Sequence, residues 1–229
     1  MANLTKLDNS NLWDKTFHIL KKEIVERKFK PNQKISIPEL SDIFGVSRTP
    51  IRDALSRLEK EGLVQTVSKV GTYVTPIDAK AAADIMDTRH MLESWSILNC
   101  MDGKGEAPEH LIAELKNILS RSAKDIGRLT LPKYLEQNYN YLFHMRMVAA
   151  GKNRKNMDIY VELMNYRYIL FEASVIHYDM VVSAQEEHER IVQAIESGDA
   201  PAALTCVKLH LQASREALLE KIQAAGGYI

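Results

Sequence analysis

Between Phe44 and Val64 the chain reads FGVSRTPIRDALSRLEKEGLV, and few folds accept that order of residues. Gly45 stops a short helix that begins at Pro38. Ser47 then caps another, which begins near Thr49, takes Pro50 in its first turn and runs to Glu61, where Gly62 ends it. Two short helices meeting at a Gly-containing turn form a helix-turn-helix, with the later helix available to a major groove. Ile51, Leu55 and Leu58 fall at i, i+4, i+7 and face a core. That leaves Arg48, Thr49, Arg52 and Asp53 near the opposite, N-terminal surface, the part of such a helix that reaches base edges.

The flanks complete a winged unit. From Leu12 to Arg27, Leu12, Trp13, Phe17, Leu20 and Ile24 recur at helical spacing. Pro31 and Asn32 break the pattern, and Ile35–Ile37 reads as a short extended piece. Beyond Gly62, Leu63–Val67 and Gly71–Thr75 are β-branched-rich runs separated by Ser68, Lys69 and Val70, a hairpin that forms the wing. Pro76 closes the region. The predicted organisation is a winged helix-turn-helix over 1–76, a linker over 77–80, and a second domain over 81–229.

Net charge is zero overall, and only its distribution says anything about partners. Residues 1–75 carry 13 basic against nine acidic side chains, so the remainder is acidic by the same margin. A basic head on an acidic body suits a nucleic-acid-binding unit joined to a non-binding one. The second domain is helical in period throughout, with breaks at Gly103–Pro108, Gly127–Pro132, Gly151–Asn153, Ile176–Val182 and Gly198–Pro201. Six or seven helices result, and an antiparallel bundle is their natural packing, giving a mainly α fold class. Cys100 and Cys206 form no paired motif, so neither a disulfide framework nor a thiolate zinc site is indicated. No long apolar run and no apolar N-terminal core occur. The expectation is a cytoplasmic protein with no membrane partner.

Arginine's planar fork spans guanine O6 and N7, and a small hydroxyl such as Ser47 or Thr49 holds a phosphate, while Lys69 at the hairpin tip reaches the backbone or minor groove. Residues 12–76 resemble the GntR family of winged-helix repressors, whose pattern GVSRTPxRxALxRLxxEGL stands nearly intact at Gly45–Leu63. The resemblance implies that Arg48, Thr49 and Arg52 contact double-stranded operator DNA, with Gly71 letting the wing backbone approach the groove. The chain departs from the family at Lys28 and Asn32, where glycines are usual, at Val70 in place of the first wing glycine, and at Pro38, often basic in relatives.

Three histidines in the second half fall on inward helix faces: His144, four after Asn140; His188, in register with Ile191 and Ile195; and His210, three after Val207. Imidazoles on facing bundle helices can hold a divalent transition metal, or can serve as hydrogen-bonded core residues, and spacing leaves both open. His18, His90, His110 and His177 match no such pattern. Residues 80–222 resemble the FCD domain, an all-helical module that often binds metal through an Asp-x-x-x-His pair and two later histidines. Carried over, these are His144, His188 and His210, with Asn140 where the aspartate is expected. An amide oxygen ligates without charge and should hold zinc or nickel, the favoured ions, less tightly.

Arg89 and Glu93 are four apart, which by itself is an ordinary helical ion pair. The resemblance implies instead that Arg89 faces an effector cavity and clamps a carboxylate. The combined expectation is a homodimeric, DNA-binding transcriptional regulator, a repressor by family habit, modulated by an organic acid in a metal-containing bundle, with no catalytic residues. Two other readings stand beside it: an enzyme using the three-histidine site, for which no general base or nucleophile motif is evident, and a metal-free structural bundle.

Overall fold

The computed structural model describes residues 10–25, 28–101, 107–170 and 176–229. It divides into two compact units, one ending at Ile77 and also holding Tyr228 and Ile229, the other running from Asp78 to Gly227.

In the first unit the order is α1 (Ser10–Val25), β1 (Lys34–Ile35), α2 (Ile37–Phe44), α3 (Arg48–Lys60), β2 (Val64–Val67) and β3 (Gly71–Val74). Phe17, Leu20 and Ile24 of α1 and Ile51, Leu55 and Leu58 of α3 are all buried, and the two helices pack on one another. Full burial of a side chain of this size is worth about 1.5–3 kcal/mol, so these two stripes dominate the unit's core. Ser36 caps α2, its Oγ accepting from the Glu39 amide, and Gly45 ends α2 at φ 63°, a left-handed conformation that costs glycine nothing. The sheet order is β1-β3-β2, antiparallel throughout, with Lys34 opposite Tyr73 and Val67 opposite Gly71. The extended piece predicted at Ile35–Ile37 is thus the third strand of the wing sheet, placed slightly earlier. Asn32, standing where relatives keep a glycine, has φ 60°, and an asparagine tolerates that conformation better than most residues.

Two expectations need correcting. Ser47 sits at the N-cap of α3 with extended dihedrals, but its side chain makes no capping bond. And 77–80 is not a free linker, because Asp78 Oδ1 accepts the Ala81 amide at 2.8 Å, so α4 already begins at Ala79. Ile77 instead exchanges backbone hydrogen bonds with Ile229, at 2.7 and 2.9 Å, which removes the last two residues from the bundle.

The second unit contains α4 (Ala79–Cys100), α5 (Glu109–Asp125), α6 (Leu131–Glu136), α7 (Tyr139–Ala150), α8 (Arg154–Leu170), α9 (Tyr178–Glu196) and α10 (Ala200–Ala224). The break predicted at Gly103–Pro108 falls largely outside the described residues, as do Glu26 and Arg27 at the end of the first predicted helix. The packing closes a ring: α4 on α10, α10 on α9, α9 on α5, α5 on α7 and α7 back on α4, with α8 against α4 and α7. A closed ring of helices points one stripe of each inward, so sequence-distant segments of five helices meet at its centre.

Candidate functional site

On the first unit, Ser47, Arg48, Thr49 and Arg52 are all exposed at the N-terminal end of α3. Arg48, Thr49 and Arg52 make no side-chain hydrogen bond or ion pair with a described residue. Arg57, one turn on, shows the alternative: its guanidinium bonds Asp14 Oδ1 at 2.8 Å and lies 3.9 Å from the Phe17 ring centroid. One helix therefore carries a structural arginine at one end and two uncommitted ones at the other. The unmade cap leaves the Ser47 hydroxyl uncommitted too. Lys69 holds the wing tip at φ 62° and is exposed, and Gly71 has φ 149°. That positive φ is what calls for glycine here, since the Lys34 Cε that a Cβ would meet at 2.6 Å is the movable end of a flexible side chain.

On the second unit, His144 of α7, His188 of α9 and His210 of α10 come together, none more than 4% exposed. Their ligand nitrogens lie within 4.8 Å of one another, and His144 Nε2 is 3.1 Å from both His188 Nε2 and His210 Nε2. Phe143 stacks on His188 with centroids 4.2 Å apart, which fixes that ring. The other four histidines, His18, His90, His110 and exposed His177, are not members of this cluster.

Two carboxylates orient the cluster. His144 Nδ1 donates to Glu93 Oε2 at 2.9 Å and His210 Nδ1 to Glu187 Oε2 at 2.6 Å. A carboxylate can only accept here, so the Nδ1 proton stays in place and the Nε2 lone pairs of His144 and His210 turn toward each other. Burial holds the His210 imidazole below its ordinary range, which keeps that lone pair unprotonated, and the hydrogen bond from His210 holds Glu187 low.

Glu93 is fully buried, and its other oxygen accepts from Arg89 Nε at 2.6 Å and from the Tyr160 hydroxyl at 2.6 Å. Burial pushes the Tyr160 hydroxyl far above the usual phenol range, so it remains a donor. Arg89 is 2% exposed, a buried pair rather than the ordinary surface pair that spacing suggests, and its role is to hold the carboxylate that holds His144. Its Nη1 and Nη2 are buried with no hydrogen-bond partner among the described residues. Arg89 does not border the cavity described next.

A cavity of about 430 Å³ reaches His188, His210, Glu187 and Asn140. Asn140 lies one helical turn before His144 on α7, and its buried Oδ1 has no hydrogen-bond partner among the described residues. An orphaned buried oxygen costs about 1–3 kcal/mol. By donor type the three imidazole nitrogens suit a divalent transition ion, and the two pairs made by His144, each 3.1 Å apart, match the spacing of about 3.0–3.4 Å that bonds of about 2.0–2.1 Å give. Glu93 and Glu187 then have the outer-shell places that fix ligand tautomers.

Sequence reasoning missed Glu187, Tyr160 and the orienting role of Glu93. Only Glu187 carried a signal, its position next to His188. Tyr160 and His144 meet Glu93 across 67 and 51 residues, and no local pattern announces such contacts.

Comparison with known proteins agrees with both units. Residues 12–74 match the bacterial regulatory proteins of the gntR family, and residues 84–213 match the FCD domain. The chain is 30% identical over 197 residues to the HTH-type transcriptional regulator YdhC of Bacillus subtilis (strain 168), covering 85% of each. It is 24% identical over 197 residues to the HTH-type transcriptional repressor GlaR of Escherichia coli (strain K12), covering 84% of this chain and 89% of that one. In fold it is similar to a GntR transcriptional regulator from Rhodococcus sp. RHA1, with a TM-score of 0.70 at 16% identity, over 92% of this chain and 98% of the other.

Proposed function

Because this chain belongs to the gntR family of bacterial regulatory proteins and carries an FCD domain, it is a transcriptional regulator rather than an enzyme, and we propose that it acts as a metal-containing, acid-responsive repressor. The observation that carries the DNA-binding part is the exposed, uncommitted end of α3. Arg48 and Arg52 read base edges in the major groove, Thr49 and Ser47 hold adjacent phosphates, and Lys69 on the wing reaches the backbone. Gly71 keeps the wing backbone in the shape this needs. The protein works as a cytoplasmic homodimer on a near-palindromic operator, since two-fold proteins read half-sites related by the same symmetry. Among the described residues no helix is long and apolar enough to cross a membrane.

The sensing part rests on the triad. His144, His188 and His210 hold zinc or nickel, with the Asn140 oxygen as a fourth, neutral donor. Such an ion supplies a positive charge that attracts an anionic effector into the adjoining cavity. Glu93, clamped by Arg89 and Tyr160, keeps His144 in its ligand tautomer, and Glu187 does the same for His210. Metal and acid together bias the bundle, and through it the pair of heads.

The direct test is a gel shift with the chain's own upstream region at graded salt, alongside elemental analysis of untagged protein. A specific complex weakened by candidate carboxylic acids, with about one metal per chain, is expected. No specific complex under any condition would overturn the regulatory reading. Less than a tenth of a metal per chain after loading with zinc or nickel would overturn the metal.

A further inference from the structure

The cavity beside the histidines describes the body of its ligand as well as the head. At about 430 Å³ it lies at the small end of ligand pockets. Taking about 30 Å³ for each water-sized group, it accepts on the order of ten to fifteen non-hydrogen atoms. Its wall is aliphatic from several directions: Leu119 of α5, Leu135 of α6, Met180 and Val181 of α9, Ala217 of α10, and Ile176.

The polar side chains that face it are already committed. Ser122 Oγ donates to Gln185 Oε1 at 2.7 Å and lies 2.8 Å from the Tyr134 hydroxyl, so the proton in that second contact is Tyr134's. Gln185 Nε2 donates to the Leu119 carbonyl at 3.2 Å and to Glu189 Oε1 at 2.7 Å, and the Tyr139 hydroxyl donates to Asp125 at 2.7 Å. Every donor hydrogen of these four side chains is therefore taken. Ser183 Oγ donates to Glu187 Oε1 at 3.4 Å and Glu187 also accepts from His210, so outside these bonds stand the hydroxyl of half-buried Ser214, the Asn140 amide and the Asp179 carboxylate. Apart from those two donors, an oxygen-rich ligand entering here surrenders its bonds to water for carbon and acceptors, at about 1–3 kcal/mol for each polar group left stranded. Hydrocarbon gains on the same surface, by about 25 cal/mol per Å².

We infer that the effector is a monocarboxylic acid with a compact apolar body. Its single acid group lies toward His188, His210 and Asn140, and its hydrocarbon fills the wall made by α5, α6, α9 and α10. This rests on the acid-effector reading above and excludes hydroxy acids and diacids from it.

The test is calorimetric titration of full-length, zinc-loaded protein with three probes: 3-phenylpropionate, malate and the neutral 3-phenylpropanol. Phenylpropionate should bind tighter than malate by about tenfold or more, the consequence of burying several carbons. Ala217→Trp should abolish its binding while zinc content and DNA binding persist. Ala213→Trp, on the same stretch of α10, is the second variant should the first fail to fold. Preference for malate, or wild-type affinity for phenylpropionate in a folded cavity-filling variant, overturns the apolar body and leaves the acid reading standing. Binding of the alcohol with neither acid, or of no probe at all, overturns the acid reading and this inference with it.

Discussion

The two ends of this molecule treat arginine in opposite ways. On α3, Arg48 and Arg52 are exposed and bond no described side chain, whereas in the bundle Arg89 is buried against Glu93 and Tyr160. The first arrangement keeps hydrogen-bonding capacity for a partner outside the chain. The second uses capacity to fix other side chains, and among the described residues it leaves a few specific gaps: the Arg89 Nη atoms and the Asn140 oxygen. An outward-facing reader requires free donors on a rigid helix. An inward-facing sensor requires a polar network that is complete except where a ligand completes it.

The contrast breaks most decisively on the reader. Replacing Arg48 and Arg52 together with Ala should remove about 1–3 kcal/mol of discrimination per residue, abolishing specific binding in an anisotropy titration with the upstream region. Metal content and melting temperature should stay at wild-type values, because neither arginine holds anything in the fold. A fall in Tm would show that they are structural after all.

Next in size is His144→Ala. It strips the triad of its central member and deprives Glu93 of a donor, and leaving a buried acceptor unpaired costs about 1–3 kcal/mol. Metal stoichiometry should fall toward zero and Tm should drop, while the isolated signal of DNA binding at low temperature persists. Retained stoichiometric metal would remove His144 from the ligand set.

Glu93→Gln is subtler. It keeps the shape but weakens the grip on the His144 tautomer, so metal affinity by competition with a chelator should fall about 10- to 100-fold. Asn140→Asp should shift the same measurement the other way by adding a charge to the donor set. If Asn140→Asp leaves the affinity unchanged, the orphaned oxygen is not a ligand.

The smallest effect concerns acid. Burial depresses the folded pKa of His210, so below its ordinary value of 6.5 the unfolded chain takes up the proton more readily and stability falls with pH. Glu187 is depressed by its bond from His210 and acts in the same direction below its ordinary value of 4.5. Thermal unfolding of metal-free protein should therefore show a Tm that declines from pH 7 to pH 5 and then more steeply. A Tm that rises on acidification across that window would contradict the assigned tautomers.

The head was readable from sequence because its contacts are local. Gly45, Pro50 and Gly62 punctuate α2 and α3, and the period of Ile51, Leu55 and Leu58 points one face inward, so the remaining face needs no tertiary information. The small failures there are of the same local kind. Ser47 occupies the cap position without making the cap bond, and Asp78 starts α4 two residues inside the predicted linker, since residue type sets a preference for a cap and not its geometry.

In the bundle, periodicity placed His144, His188 and His210 on inward faces, and no more than that. Which inward residues meet depends on how helices far apart in the chain close into a ring, and side chains four helices apart share no local pattern. Only the tertiary structure decided that Glu93 and Glu187 fix two of the imidazoles, that Arg89 acts through Glu93, and that the neighbouring cavity is lined by carbon with its hydroxyls already taken. The sequence alone determined a winged helix-turn-helix with free arginines at the start of its third helix, because helix period and turn chemistry are properties of neighbours. The histidine site was settled by packing, because a site made by four helices exists only once they are assembled.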